Sequence, residues 1–506
     1  MKRFIEKYEG AIVAALFILG FALRLAYLGS LPMGLNQDEA STGYEAWSLL
    51  NYGVDRCGNS WPVLLESWGS GQNVLYSILA MPFIAVFGLN VYSLRIVAGI
   101  FGCGALAVFW LMARRCGGKG FGITALFFLA VNPWHIMASR WALESNLLPF
   151  FLLTGVYFTS LARQKGWALL GAAISFALAL YAYGTAYFFL PLYLVCAVIW
   201  LRRRLQPGSF LVSLAVFMLM AMPITVCQLI NALGGNEVTV LGITITKLTQ
   251  SRQSATSVLG GGGFSAAMDN FRSFLKLLWH QSDGLVFNSL GKGGIFYVFG
   301  LPLAVLGVLA ALGDRKKRPE EAPMLFALLA SVVSAFFIDV NINRINMAWL
   351  PLVYFASLGL YIILCKVGKF AAIPVAAVLL CFVIFVGNYV ETLKTHPSEL
   401  YYPGLGEAIE YCGEQGAESV YITDYVNQPY IFALFYSKTP TPEFIETVDY
   451  INPGAAFQWV RSFGKYRFGP AQDAQGDYVI LHMGENTGLA EIAYFGSYVV
   501  CRGYGY

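Results

Sequence analysis

The chain has 506 residues, of which 57% are hydrophobic and only 12% charged, against about 25% charged in ordinary soluble domains. Its mean hydropathy is +0.61. These proportions exclude a disordered chain, a coiled coil and a soluble enzyme of ordinary surface; they describe a polytopic membrane protein. Charge is unevenly spread: residues 391–506 carry 6 Lys/Arg and 14 Asp/Glu, whereas residues 1–390 carry 27 and 15. A basic membrane domain over 1–390 and an acidic extracytoplasmic domain over 391–506 are expected to behave as separate units. The basic residues fall in short clusters, which mark membrane topology and not nucleic-acid binding.

A helix that crosses a bilayer needs about 20 mostly apolar residues. The first such run, about 10–29, follows a basic head of Lys2, Arg3 and Lys7. It is too long for a signal-peptide core and lacks a small-residue cleavage site, so it reads as a retained helix. Arg24 lies inside it, and a charge there is normally paired; His280 is one candidate partner.

A long first outer loop, about 30–91, comes next. Its spacing predicts helices over 38–51 and 72–87, the second too short and too broken by Pro82 to span, so both suit the interface. Asp38 and Glu39 are adjacent carboxylates at a membrane surface, which repel one another unless something compensates. Asp38 is either the N-cap of the 38–51 helix, with Glu39 favouring the dipole, or a base within reach of an acceptor hydroxyl. Tyr44, Trp47, Trp61, Trp68 and Tyr76 crowd this loop and suit either an interfacial belt or sugar stacking.

Further apolar runs centre on 92–113, 120–137, 147–162, 167–183, 185–201, 209–231, 293–313, 322–339, 347–365 and 370–390, giving about eleven transmembrane helices. Arg95 opens the second. The stretch NPWHIMASRWALESN, 132–146, lies outside; Arg140 and Glu144 are four apart and would share a helical face. They are either a structural ion pair or an anion site in which Arg140 binds a head group and Glu144 orients it or a cation. His135 reads as an interfacial hydrogen-bonding residue. In the second long outer loop, about 232–292, Gly260 to Gly263 read as a hinge or lid tip, since no Gly-Lys-Ser/Thr follows. Arg344 opens the tenth run and either snorkels to the interface or captures a lipid phosphate.

Six basic clusters, holding 17 of the 27 basic residues of this part, all fall on the side of the N-terminus. The positive-inside rule then places the N-terminus in the cytoplasm and, with an odd number of spans, the tail outside. In the tail, 404–415 and 427–437 read as helices, and 418–423, 477–482 and 497–502 as strands, a small α/β domain suited to a cap or acceptor-docking module. The nine Cys show no metal-ligand spacing. A Cys412–Cys501 disulfide is an option in the tail.

The stretch LRLAYLGSLPMGLNQDEASTGYEAWSLLNYGVDRCGNSWP followed by LYSILAMPFIAVFGLNVYSLRIVAGIFG resembles the opening of C-type (GT-C) membrane glycosyltransferases, in the branch of the protein O-mannosyltransferases and lipid A aminoarabinose transferases. The features are an Arg late in the first span, a Pro-Gly-like turn, Asp-Glu, a helix, Phe-Gly and an Arg opening the second span. NPWHIMASRWALESN and the VNINRIN–Pro351 region also resemble bacterial members. The resemblance implies a GT-C-like enzyme that takes a sugar from a polyprenyl-phosphate donor at the outer membrane face and inverts the anomeric centre. It implies Asp38 as catalytic base with Glu39 in support, Arg95 holding the first loop or the donor phosphate, and Glu144 as a second-loop acid. The sequence departs in two places. There is no Asp-x-Asp pair in the second outer loop, which leaves a divalent cation open, with Glu144 as its one possible contact. The first-loop stretch ESWGSGQN has no Lys, which passes phosphate binding to Arg140 or Arg344. No nucleotide cofactor is expected. The acceptor is a hydroxyl or amine of a protein, lipid or cell-wall polymer. The rival functions are a flippase for lipid-linked sugars and a polymerase or ligase using lipid pyrophosphate oligosaccharides.

Overall fold

A computed structural model describes residues 2–249, 263–313, 318–396, 400–455, 457–485 and 487–503. Gly260 to Gly262, and Arg315 to Lys317 of one basic cluster, lie outside the described residues. In chain order the elements are α1 (Lys2–Leu25), α2 (Gln37–Tyr52), β1 (Leu64–Ser67), β2 (Ser70–Asn73), α3 (Leu75–Phe87), α4 (Val91–Ala130), α5 (Pro133–Ala138), α6 (Leu148–Ala162), α7 (Ala168–Ala182), α8 (Ala186–Leu201), α9 (Pro207–Leu233), β3 (Val238–Val240) and β4 (Ile243–Ile245). They continue with α10 (Gly263–His280), α11 (Gly300–Gly313), α12 (Ala322–Ser334), α13 (Trp349–Val367), α14 (Ala372–Thr395), α15 (Leu405–Glu414), β5 (Val420–Thr423), α16 (Pro429–Ser437), α17 (Thr441–Thr447), β6 (Asp449–Tyr450), β7 (Val460–Phe463), β8 (Tyr466–Gly469), β9 (Tyr478–His482), β10 (Ala490–Phe495) and β11 (Tyr498–Arg502).

Every apolar run carries a helix. Among the described residues six are long and apolar enough to cross a membrane: Lys7–Leu25, Val91–Ala130, Glu144–Ala162, Pro207–Leu233, Asn346–Phe370 and Ala372–Thr395. The protein is an integral membrane protein. The runs at 92–113 and 120–137 differ from expectation. They form one 40-residue helix broken at Gly118, whose φ of 76° and ψ of −167° suit a residue without a Cβ. That helix ends at Ala130, and Asn132 then caps α5, its side chain accepting from the His135 N–H at 3.0 Å. Residues 72–73 are also not helical. They pair in the β1–β2 hairpin, Leu64 opposite Asn73, and α3 starts at Leu75.

The chain forms two compact units. The first holds residues 1–26, 98–223 and 253–392; the second holds 27–97, 224–252 and 393–506. The sequence division at 390/391 therefore captures only the last part of the second unit. The physical reason is hydrogen bonding between the first outer loop and the tail within that unit. The Leu35 N–H donates to the Tyr401 carbonyl at 2.6 Å, the Tyr44 hydroxyl donates to the Thr439 carbonyl at 2.8 Å, and the Ser48 and Thr441 hydroxyls meet at 2.6 Å.

The tail forms a seven-stranded sheet in the order β10-β11-β9-β5-β8-β7-β6. β5 is parallel to both β8 and β9, and the remaining pairs are antiparallel. Alternate residues of β5, β9 and β11 (Tyr421, Val479, Leu481, Val499 and Cys501) bury one face of it, as the period of 2 requires. The expected helices and strands of the tail are present. β6, β7, β8 and β10 are additional; the first three are two to four residues long and each carries a charged position. Cys412 and Cys501 are both buried and unbonded. Cys501 packs in the sheet cluster while Cys412 belongs to α15, which corrects the tail disulfide.

Candidate active site

Helix α2 begins one residue earlier than expected, and its cap is not Asp38. Asn36 has extended backbone (φ −83°, ψ 153°), and its side chain accepts from the Asp38 N–H at 3.0 Å. Glu39 Oε2 accepts from the Asn36 N–H at 3.1 Å, completing a capping box. Asp38 thus occupies the first turn with neither capping duty. It is half-buried, and its carbonyl accepts from the Thr42 hydroxyl at 2.8 Å. Replacing Asn36 with Ala is expected to cost about 0.5–2 kcal/mol, read as a lower thermal midpoint of the purified protein.

Glu39 is also the acid of a buried ion pair. Arg95 Nε and Nη2 donate to its two oxygens at 2.8 Å each, and both side chains are fully buried. The other three Arg95 N–H groups reach the carbonyls of Leu28 (3.4 Å), Pro32 (2.6 Å) and Gly34 (2.9 Å). All five donors of the fork are engaged by protein acceptors. Arg95 therefore braces the segment before α2, with its N–H groups taken up by protein acceptors. Gly34 sits at φ 82°, where a Cβ would lie 1.9 Å from the Tyr401 carbonyl oxygen. The Arg95 guanidinium lies 5.2 Å from the centre of the Tyr401 ring.

A second buried pair lies further along α2. Arg56 Nε is 3.3 Å from Glu45 Oε1, and the Arg56 N–H donates to Glu45 Oε2 at 3.0 Å. Arg56 Nη1 and Nη2 donate to the Ser41 and Ser67 hydroxyls at 2.9 Å. Its guanidinium stacks 4.7 Å from the Trp68 ring and 5.8 Å from the Tyr430 ring, an arrangement in which cation–π attraction offsets desolvation. Burial pushes the Glu45 carboxyl up to about 8, against the pull of Arg56. The network runs on from Ser41 to Gln72 Oε1 (3.2 Å), from Gln72 Nε2 to Thr42 (3.0 Å), and so to the Asp38 carbonyl. The i, i+4 spacings of Asp38–Thr42 and Ser41–Glu45 place these groups on adjacent rows of one helix. Asp38 stands on a braced turn. Burial raises the nearby Tyr402 hydroxyl, and the Asp38 charge adds to that rise.

The remaining candidates belong to the first unit. Arg24, fully buried in α1, has its partner in His135. Its Nε and Nη2 lie 3.1 and 2.9 Å from His135 Nδ1, and the carbonyls of Gly20, Leu129 and Ala130 take the rest of the fork. Nδ1 accepts, so the ring is neutral with its proton on Nε2; burial and the Arg24 charge hold it well below its ordinary pKa. His135→Phe is expected to cost about 1.5–3 kcal/mol, the worth of a hydrogen bond to a charged group, seen as earlier unfolding in detergent.

Arg140 and Glu144 do not share a helix. α5 ends at Ala138, and extended backbone at Leu143 precedes a 3-10 turn over Glu144–Leu147. Arg140 is buried and its Nη1 donates to the Leu23 carbonyl at 3.1 Å. Arg344 is partly exposed and pairs with the Asp339 carboxylate. The structure brings the 132–146 and 340–346 segments together, for Asn346 Nδ2 donates to the Ser145 carbonyl at 2.5 Å. Among the described residues no three His, Cys, Asp or Glu side chains converge on a metal-sized site. His280, at the exposed end of α10, is not the partner of Arg24. Sequence reasoning missed both the Glu45–Arg56 pair and the Arg24–His135 pair. A lone Arg late in the first span signalled that some partner existed, but no spacing named it.

The fold is that of the GT-C membrane glycosyltransferases. The family model of dolichyl-phosphate-mannose-protein mannosyltransferases matches residues 74–226. ArnT from Cupriavidus metallidurans, in the apo state, is similar over 98% of this chain and 98% of its own, with a TM-score of 0.52 and 14% identity. The same protein bound to undecaprenyl phosphate aligns over the same shares with a TM-score of 0.50 and 14% identity. The archaeal oligosaccharyltransferase AglB from Archaeoglobus fulgidus, in complex with an inhibitory peptide and a dolichol-phosphate, is similar over 85% of this chain with a TM-score of 0.51 and 14% identity. The chain spans 64% of the length of that archaeal protein. No curated protein matches the sequence.

Proposed function

We propose that the chain is an inverting glycosyltransferase that moves a sugar from a polyprenyl-phosphate donor to an acceptor hydroxyl or amine at the outer face of the membrane. The observation that carries this reading is the division of labour at the start of α2. Asn36 and Glu39 cap the helix, Arg95 locks Glu39, and a half-buried Asp38 carries neither task. The GT-C fold and the lipid-phosphate complexes of its structural neighbours support it.

Asp38 takes the proton of the acceptor group, as a general base does when it lies within hydrogen-bond reach. The acceptor atom attacks the anomeric carbon on the face opposite the phosphate. The bond from that carbon to the phosphate oxygen breaks, and polyprenyl phosphate leaves with the electron pair. Glu39 is a positioning residue, acting through its hydrogen bonds to Asn36 and Arg95. Arg140 and Arg344 are assigned to the departing phosphate, whose charge grows as the bond breaks. Glu144 is assigned to supporting one of those cations or a divalent ion. From the positive-inside distribution we place the N-terminus in the cytoplasm and residues 391–506 outside.

Membranes containing the full chain, incubated with labelled polyprenyl-monophosphate sugars and with pyrophosphate-linked oligosaccharides, test this. Consumption of a monophosphate donor, with release of polyprenyl phosphate and an inverted glycosidic product, is expected. Turnover of pyrophosphate donors alone selects the polymerase or ligase. Movement of the intact lipid-linked sugar across vesicles, with no cleavage, selects the flippase.

A further inference from the structure

Helices α6, α7, α8 and α9 surround a cavity of about 220 Å³. Its wall is built from side chains such as Leu169, Phe176, Leu194 and Phe210, and no charged residue lines it. The two hydroxyls on the wall are already committed. Thr159 Oγ1 donates to the Gly155 carbonyl at 2.8 Å, and Ser213 Oγ donates to the Ser209 carbonyl at 2.7 Å. A polar ligand would give up its hydrogen bonds to water for little in return, so the cavity suits hydrocarbon. It opens sideways, for Val198, Leu214 and Met218 on its rim are 41, 43 and 59% exposed. Leu214 and Met218 belong to the membrane-length helix α9, whose exposed apolar side chains meet lipid tails.

One end of the cavity is cationic. Leu201 and Leu205 both line it, and the three residues between them are Arg202, Arg203 and Arg204, all exposed. Ala162, Ala168 and Leu201 pack in one cluster with Leu205, and a Cβ on Gly166 would lie 2.6 Å from Gln206 Oε1. The α6–α7 and α8–α9 turns therefore meet, which adds the exposed Lys165 to the three arginines. From Ser145 to Asn236 the chain holds five Lys/Arg and no Asp or Glu. Arg163 is paired with Glu320 at 3.7 Å, while among the described residues the other four cations have no acid partner. Trp167, 59% exposed beside them, suits the level of a membrane interface.

An apolar slot with a cationic rim fits an amphiphile whose chain enters the slot and whose anionic head meets the arginines. We propose that this is a binding site for an anionic phospholipid. It is separate from the phosphate assigned to the donor. α6 is 15 residues long, so the cationic end lies about 22 Å from the end next to Arg140 and Glu144.

Native mass spectrometry of the full-length protein in neutral detergent reads lipid retention directly, with dioleoyl phosphatidylglycerol, dioleoyl phosphatidylcholine and undecaprenyl phosphate as probes. Phosphatidylglycerol is expected to bind about tenfold or more tightly than phosphatidylcholine, and Arg202→Gln/Arg203→Gln/Arg204→Gln should abolish that preference. Ala173→Leu narrows the slot and leaves every cation in place; it should weaken phosphatidylglycerol about tenfold. Undecaprenyl phosphate should bind both variants as it binds the wild type. Ala173→Leu keeps the test decisive if the triple variant fails to insert, because the arginines also carry topology signal. The proposal is overturned if the wild type binds the two glycerolipids equally or if either folded variant retains phosphatidylglycerol undiminished. It is also overturned if undecaprenyl phosphate is lost in step with phosphatidylglycerol, which would make the cavity part of the donor's site.

Discussion

On the proposed mechanism, sugar transfer is expected to fall by about 10²–10⁴-fold in Asp38→Asn, the range that general-base catalysis contributes. The capping of α2 should be untouched. The amide is nearly isosteric with the carboxylate, and the N-terminus of α2 is capped by Asn36 and Glu39 without help from this side chain. Yield, elution volume and thermal midpoint are therefore expected to match the wild type while product formation collapses. Asp38→Glu keeps a base on a longer arm and should recover part of the rate. Wild-type turnover in Asp38→Asn would remove the base assignment altogether, and a joint loss of turnover and folded yield would recast Asp38 as structural.

The second large effect is in stability. Arg95→Met strands the Glu39 carboxylate in a fully buried site, and removing one partner of such a pair costs about 3–5 kcal/mol. It also releases the carbonyls of Leu28, Pro32 and Gly34, so the segment before α2 should become the first point of proteolytic cleavage. The double variant Glu39→Gln/Arg95→Met removes the lone charge and should regain part of the lost midpoint in a thermal melt. Equal melting of wild type and Arg95→Met would show that the pair contributes nothing. Because the loss acts through folding, it differs from the Asp38→Asn result, in which protein persists and chemistry does not.

Local signals and non-local pairings were not equally readable. Apolar runs of bilayer length located the six described helices that are long and apolar enough to span, because hydropathy over some 20 residues is a property of contiguous sequence. The adjacent acids Asp38-Glu39 located the start of α2 for the same reason. The sequence did not show which acid serves which purpose, since the deciding partner, Arg95, lies 56 residues away. The Arg24–His135 contact spans 111 residues and has no periodic signature. Arg140 and Glu144 have the i, i+4 spacing of a helical pair, yet the extended backbone at Leu143 breaks the helix between them; spacing is informative only where the chain stays regular. The short strands β6 and β8 escaped notice because two to four residues with charged or glycine positions carry little alternation.

The second unit is stitched from three separated stretches of the chain, 27–97, 224–252 and 393–506. During synthesis the first of these emerges hundreds of residues before the last. Tyr44 and Ser48 must wait for Thr439 and Thr441, and the Arg56 guanidinium for the Tyr430 ring. A nascent chain halted before the tail would leave these buried groups bare, as a ready substrate for quality-control proteases. Completion of the tail thus becomes the checkpoint at which the second unit is first finished.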